Sequence, residues 1–411
     1  MQSLENAAIT AVPGFRAAGV HCGLKPTGDR DLALIYSEAP CRAAAVFTRN
    51  RVKAAPVLYD QAVLASNCKT IQAVVINSGC ANACTGQRGL DDALATARLA
   101  GDELALNADQ VLVMSTGVIG QHLPMDKIKA GVKAAAAALS EEGGHEAALA
   151  IMTTDTRPKE AAVEVEIGGR TVTIAGMCKG AGMIHPDMAT MLALAVTDAA
   201  VSADCLRQAL VEAADLSFNM MTVDGDTSTN DTFALLANGL AGNPEITDPD
   251  SDDYRAFAQA LTQVAQQLAQ AIARDGEGAT KFVTITVKGA PRFSEAKQVA
   301  MAIAHSPLVK TALYGQDANW GRVLCAVGYS GVAVQPERLA LWFGSPEDDG
   351  PPLQLVKDGQ PYDVDEARAA AILAHHDIDI TVGLGLGGAE ATVWTCDLSH
   401  DYVSINAHYR T

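Results

Sequence analysis

Along the chain, short and almost wholly apolar runs alternate with longer segments whose apolar residues recur every three or four positions, separated by clusters of Gly, Pro, Asn and Asp. The short runs read as buried strands: DLALIYS (31–37), AAAVFT (43–48), QAVVINSG (72–79), VLVMS (111–115) and MLALAV (191–196). The periodic segments predict helices over 90–106, 124–138 with Pro124 in its first turn, 141–156, and 202–219 with Ser202 as N-cap. Further helices are expected over 254–276, closed by Gly276, in two short pieces split at Ser306-Pro307, and over 364–374. VEVEIGGRTVTIAG (163–176) predicts a hairpin turning on Gly168-Gly169. Later strands are expected at 281–287, 323–329 and 338–343, with DIDITV and EATVWTCDL joined as a hairpin by GLGLGG (383–388). That glycine run lies between two strands and meets no helix N-terminus, so it is not a dinucleotide fingerprint. No internal repeat or low-complexity linker interrupts the pattern, which predicts the α/β class.

Composition narrows the function. A chain of 411 residues, 49% apolar with few aromatics, can bury a large core over two or three domains. The formal charge of −18 disfavours nucleic acid and anionic membrane surfaces as partners. No apolar run approaches the ~18 residues that cross a bilayer, and the N-terminus lacks a signal-peptide pattern, so a cytoplasmic protein is expected. Nine widely spaced cysteines make no disulfide framework, and Cys80 and Cys84 lack the second pair of a zinc site. TVDGDTSTNDT (222–232) imitates a calcium loop through Asp224, Asp226, Ser228 and Asn230. Thr229 and Leu235 stand where the essential glycine and glutamate belong, which rejects calcium.

The stretch from Met177 to Thr197 carries the candidate chemistry. A Gly-rich loop breaks into the buried run MLALAV at the junction Ala189-Thr190. On residue type alone, Thr190 is a β-branched residue opening a strand. If the preceding peptide bond is cut, its freed α-amine, with a pKa near ~8, becomes the base for its own hydroxyl. The surrounding text decides between the two readings. KGAGMIHPDMATMLA (179–193) resembles the cleavage and nucleophile segment of the ornithine acetyltransferase family, the glutamate N-acetyltransferases of arginine biosynthesis.

The same resemblance continues through NSGCANACTG (77–86), VMSTGVIG (113–120), TVDGDTSTNDT, DGEGATK (275–281), GQDANWGR (315–322) and the C-terminal NAHYRT. Ala318 stands where many relatives have proline. The resemblance implies a layered α/β/β/α fold of the aminopeptidase/ornithine-acetyltransferase class. By the same implication the chain cuts itself into an α chain of residues 1–189 and a β chain of residues 190–411, assembled as α2β2. It further implies Thr190 as nucleophile, Thr116 and Gly117 as oxyanion hole, and Lys179, Glu277, Asn406, Thr411 and one threonine of the Thr153-Thr154 pair, with Thr153 favoured over Thr154, as substrate contacts with Thr190, with neither metal nor cofactor. From charge, Lys179 suits an α-carboxylate and Glu277 an ammonium group. The implied reaction moves acetyl from N-acetylornithine to glutamate, with acetyl-CoA a second donor in bifunctional members. Two alternatives stay open on sequence: an N-terminal-nucleophile aminopeptidase or amidase of the same fold class, and an uncleaved binding protein.

Overall fold

The structure is a computed structural model describing residues 1–185, 191–362 and 365–408. Two compact units divide the described residues: Met1–Asn219 with Asp226–Ile272, and Met220–Gly225 with residues 273–408. No helix among the described residues is long and apolar enough to cross a membrane.

Among the described residues, the first unit holds nine strands: β1 (Gln2–Ser3), β2 (Phe15–Val20), β3 (Leu32–Phe47), β4 (Ile71–Asn77), β5 (Val111–Ser115), β6 (Lys159–Ile167), β7 (Arg170–Lys179), β8 (Leu192–Thr197) and β9 (Thr232–Ala237). They run in the order β1-β6-β7-β8-β9-β3-β4-β5, with β2 also on β3. The two short runs expected at 31–37 and 43–48 are one 16-residue strand. Its first half pairs with β2 and β4 and its second half with β9, with a register shift between Tyr36 and Cys41.

That shift divides the sheet into two halves that face each other. Ile35, Val74, Ile76, Leu112 and Met114 on one half share a core with Met177, Leu192, Leu194, Val196 and Leu236 on the other. The alternate residues Leu34, Val75, Val111 and Val113 point outward and pack beneath α2 (Gly86–Leu104) and α3 (Met125–Ala137). On the opposite outer face α5 (Ala203–Asp215) packs on β3. There too α6 (Asp252–Arg274) sits so close that a Cβ on Gly176 would lie 3.1 Å from Leu268. The expected α/β/β/α layering follows from this period-two alternation. Helix α1 (Ala55–Ser66) covers the β5 edge: the Asp60 carboxylate accepts the Val113 N–H at 2.8 Å, and the Tyr59 hydroxyl donates to Ala108 O.

Several local readings hold. Gly168 and Gly169, at φ +57° and +73°, make the two-residue hairpin turn, and the Ser202 hydroxyl caps α5 by accepting from Cys205 N–H. The helix expected over 141–156 is shorter: α4 (Gly144–Ile151) stops at Ile151, and 152–158 is a loop.

The second unit carries six strands: β10 (Phe282–Ala290), β11 (Ala340–Gly344), β12 (Leu353–Lys357), β13 (Gln360–Pro361), β14 (Asp377–Gly383) and β15 (Ala389–Cys396). Its helices are α7 (Phe293–His305), α8 (Pro307–Tyr314), α9 (Trp320–Tyr329), α10 (Glu366–Ala374) and α11 (His400–His408). Two expectations are corrected. Residues 323–329 are helical, not a strand: Asn319 accepts the Arg322 N–H at 3.2 Å as N-cap, and Val323, Ala326 and Val327 bury one helical face. GLGLGG is no hairpin either, because β10 lies between β14 and β15, parallel to one and antiparallel to the other. The run crosses the end of β10, where Leu386 and Gly387 N–H both bond Gly289 O. A Cβ on Gly387 would approach Ala290 O to 2.5 Å, which accounts for a glycine at that crossing.

Candidate active site

Strands β4 and β5 run parallel and end together, Asn77 beside Ser115. Both segments then turn back and lock. The Asn77 side chain accepts from Ser115 Oγ at 2.6 Å and donates to Cys80 O at 2.9 Å, while its carbonyl accepts the Thr116 N–H at 3.0 Å. Cys80 bridges to both Thr116 and Val118. Gly117 adopts φ +129°, and a Cβ there would lie 2.3 Å from the Gly79 carbonyl carbon, so position 117 requires glycine on two counts. The small residues of NSGCANACTG thus permit backbone to lie on backbone directly behind the Thr116-Gly117 pair.

Lys179 ends β7 and is buried, and its Nζ donates to Thr116 Oγ1 at 3.4 Å. A hydroxyl that accepts from an ammonium group is polarised and becomes a better donor through its own hydrogen. Next to Lys179, Gly180 N–H donates to Asp155 Oδ1 at 2.7 Å. The buried Lys159 donates to the same oxygen at 2.6 Å, and Thr153 N–H donates to Asp155 Oδ2 at 2.9 Å. Burial works against the Asp155 carboxylate, but the charges of Lys179 and Lys159 with the Gly180 N–H hold its pKa down at about 2. Asp155, in the loop after α4, ties Thr153 to the Lys179-Gly180 corner.

The polar loop before β9 joins these parts to the start of β8. Asn230 Nδ2 donates to Ala81 O at 2.7 Å and to Ser115 O at 2.8 Å. The next residue, Asp231, accepts the Met191 N–H at 3.0 Å. Two adjacent side chains therefore connect the turn preceding Thr116 with the residue that follows Thr190.

In the second unit, Glu277 and Asn406 come together: Asn406 Nδ2 donates to Glu277 Oε2 at 2.8 Å. The Glu277 loop is anchored by the buried Asp397, which accepts from Thr280 and Lys281 N–H. Asn406 lies on α11, so the polar C-terminal stretch is helical through His408. Ala189, Thr190 and Thr411 lie outside the described residues.

Three residues near the candidate site escape sequence reading. Asp155 shows only as an acid four residues before Lys159 in TTDTRPK, and Asp231 only as one more acid in a polar loop. Lys25 follows a turn whose N–H groups, from Cys22 to Lys25, all donate to Asp31. Burial lowers its pKa, while Asp31, Asp29 and Asp155 oppose that shift. All nine cysteines are free thiols.

The sequence signature of the ArgJ family matches residues 16–411. The arginine biosynthesis bifunctional protein ArgJ of Symbiobacterium thermophilum is 55% identical over 405 residues, spanning 98% of each chain. The mitochondrial protein of that name from Heterostelium pallidum is 50% identical over 410 residues, spanning 97% of this chain and 94% of that one. Among solved structures, ornithine acetyltransferase complexed with ornithine from Mycobacterium tuberculosis is 46% identical, covers 45% of this chain and 98% of that chain, and has a TM-score of 0.42. With identity at this level sustained along nearly the whole sequence, the chain belongs to the ArgJ family.

Proposed function

We propose that this chain is a glutamate N-acetyltransferase of arginine biosynthesis, moving acetyl from N-acetylornithine to glutamate through an acetyl ester on Thr190. The observation that carries the reading is the double link made by Asn230 and Asp231, from Ser115 beside the Thr116-Gly117 pair to Met191 beside Thr190. An acyl-transfer centre needs a nucleophile and oxyanion donors held in fixed relation, and the sequence places a threonine at the required point.

The chain first cuts itself. Thr190 Oγ attacks the Ala189 carbonyl, the acyl group shifts from nitrogen to oxygen and so frees the α-amine, and water hydrolyses the resulting ester to release the Ala189 carboxylate and the Thr190 hydroxyl. The α chain then ends at Ala189 and the β chain begins at Thr190. The two would stay associated, because β8 pairs with β7 and β9 pairs with β3 across the cut. We place the assembly as α2β2 in the cytoplasm.

In turnover, Thr190 Oγ attacks the acetyl carbonyl while its proton passes to the Thr190 amine. The Thr116 hydroxyl and the Gly117 N–H receive the oxyanion; one such donor is typically worth ~3–4 kcal/mol of barrier. Collapse breaks the amide, and the proton held on the amine leaves with ornithine. The glutamate amine then attacks the acetyl ester and restores Thr190 in a ping-pong cycle. Lys179 takes the substrate α-carboxylate, Glu277 and Asn406 its ammonium side, and Thr153 and Thr411 complete the contacts. Acetyl-CoA charges the same threonine in the second activity.

Thr116→Ala tests the oxyanion assignment. It is expected to lower kcat by about 10²–10³ and leave KM for N-acetylornithine nearly unchanged. A raised KM at normal kcat would instead move Thr116 into ground-state binding.

A further inference from the structure

Met191 is gripped from both sides. Its N–H donates to Asp231 Oδ1 at 3.0 Å, and its carbonyl accepts the Thr232 N–H at 3.1 Å. The regular β8–β9 ladder begins one residue later, at Leu192 opposite Thr232. The Met191 N–H thus lies just outside the sheet and is satisfied by a side chain. Met191 nitrogen is covalently bonded to the Thr190 carbonyl carbon, so the grip fixes the peptide plane from which Thr190 projects.

Asp231 is costly to keep there. It is 1% exposed, buried on every side by the strand ends it joins. Burial raises its pKa well above the usual carboxylate range, against the Met191 N–H, the Lys179 charge and the Thr48 side chain. A fully buried acid is an expensive way to hold one N–H. Such local violations concentrate where function demands a fixed geometry. Its surroundings are correspondingly rigid: the Asp231 carbonyl accepts the Thr48 N–H at 3.0 Å, and the preceding Asn230 is tied to Ala81 and Ser115.

We propose that Asp231 is the positioning residue for the nucleophile: its acceptor oxygen, with the Thr232 N–H, clamps Met191 so that Thr190 keeps one orientation before and after the chain is cut. The proposal rests on Thr190 being the nucleophile. Scission removes the covalent tether on the amino side of Thr190 and leaves a chain end that would otherwise fray. With the clamp, the tether on the carboxyl side of Thr190 stays fixed at Met191. Asp231 acts through Met191, and its contribution is geometric.

Asp231→Ala removes the acceptor. It is expected to slow self-cleavage and to lower kcat of whatever cleaved enzyme forms by about 10²-fold, the scale of an ångström-sized misplacement, with KM for both substrates within a few-fold of wild type. Asp231→Asn keeps an acceptor oxygen of the same reach and is expected to restore cleavage and kcat to within about fivefold. If the alanine variant does not fold, the asparagine variant decides alone: a folded Asp231→Asn chain that neither cleaves nor turns over overturns the proposal. An Asp231→Ala enzyme that cleaves and turns over like wild type, or that is altered only in KM, also overturns it. N-terminal sequencing of the wild-type fragments separates the two levels of the argument. A wild-type β chain that does not begin at Thr190 refutes the nucleophile assignment itself.

Discussion

Thr190→Ala is expected to run as a single 411-residue polypeptide on a denaturing gel and to show no acetyl transfer, whereas wild type resolves into residues 1–189 and 190–411. Alanine has no oxygen to attack the Ala189 carbonyl, so the N→O acyl shift cannot begin. Without the shift no α-amine appears, and the variant lacks both the nucleophile and its base. The fold should survive, because Met191 remains held by Asp231 and Thr232 and β8 remains paired on both sides. Thr190→Ser retains a hydroxyl and an N-terminal amine after cutting, and is expected to cleave. A Thr190→Ala chain that still separates into the two fragments would show that the cut is not made by this residue.

Asp155→Asn is expected to be the most destabilising single change near the site. The Asp155 carboxylate stands beside Lys159 and within reach of the Lys179 charge, and the side chains of both Asp155 and Lys159 are fully buried. Its depression from 3.8 to about 2 favours the charged form by on the order of 2 kcal/mol. Removing the charge also strips two buried ammonium groups of the carboxylate they share, and breaking a buried pair in this way costs about 3–5 kcal/mol. The denaturant midpoint should fall accordingly, and activity with it, since Thr153 and the Lys179-Gly180 corner lose their common anchor. The acid limb should change as well. Because the folded carboxyl titrates below its unfolded value, its contribution is full above about pH 4 and is lost as pH falls toward 2. Wild type should lose that stability over this range, and Asp155→Asn should lack that part of the slope. A variant as stable as wild type at pH 7, with an unchanged acid limb, would refute the assignment.

The strand ends were legible because their signals are local. A hydroxyl residue and a glycine after an apolar run, facing a loop of small residues, can be read from VLVMSTG and NSGCANAC alone. The residues that join those ends to Met191 were not. Asp231 meets Met191 across 40 residues, and Asp155 meets Gly180 across 25; the resemblance marks the block that holds Asp231 but not the contact it makes. The two misread elements fail for physical reasons. In VLCAVGY nearly every residue is apolar, which hides the helical spacing of Val323, Ala326 and Val327 unless Asn319 is recognised as a cap. GLGLGG looks like a hairpin because its flanking strands are adjacent in sequence, while the strand between them, β10, comes from far upstream. Strand β9 went unread because its six apolar residues follow directly on the polar loop that drew attention to itself.

The central claim is that Thr190 carries the acetyl group and that an amino acid, not water, removes it. Transferase and hydrolase would form the same acyl-threonine and differ only in what relieves it, so the decisive quantity is the mass of the β chain. Wild-type enzyme incubated with N-acetylornithine and no glutamate should yield a β chain heavier by one acetyl group, located on Thr190. Adding glutamate should discharge the adduct rapidly and yield N-acetylglutamate, because a bound amine held in attack geometry outcompetes poorly placed water. An adduct that decays to free acetate at the same rate with or without glutamate would contradict the account and make the enzyme an amidase.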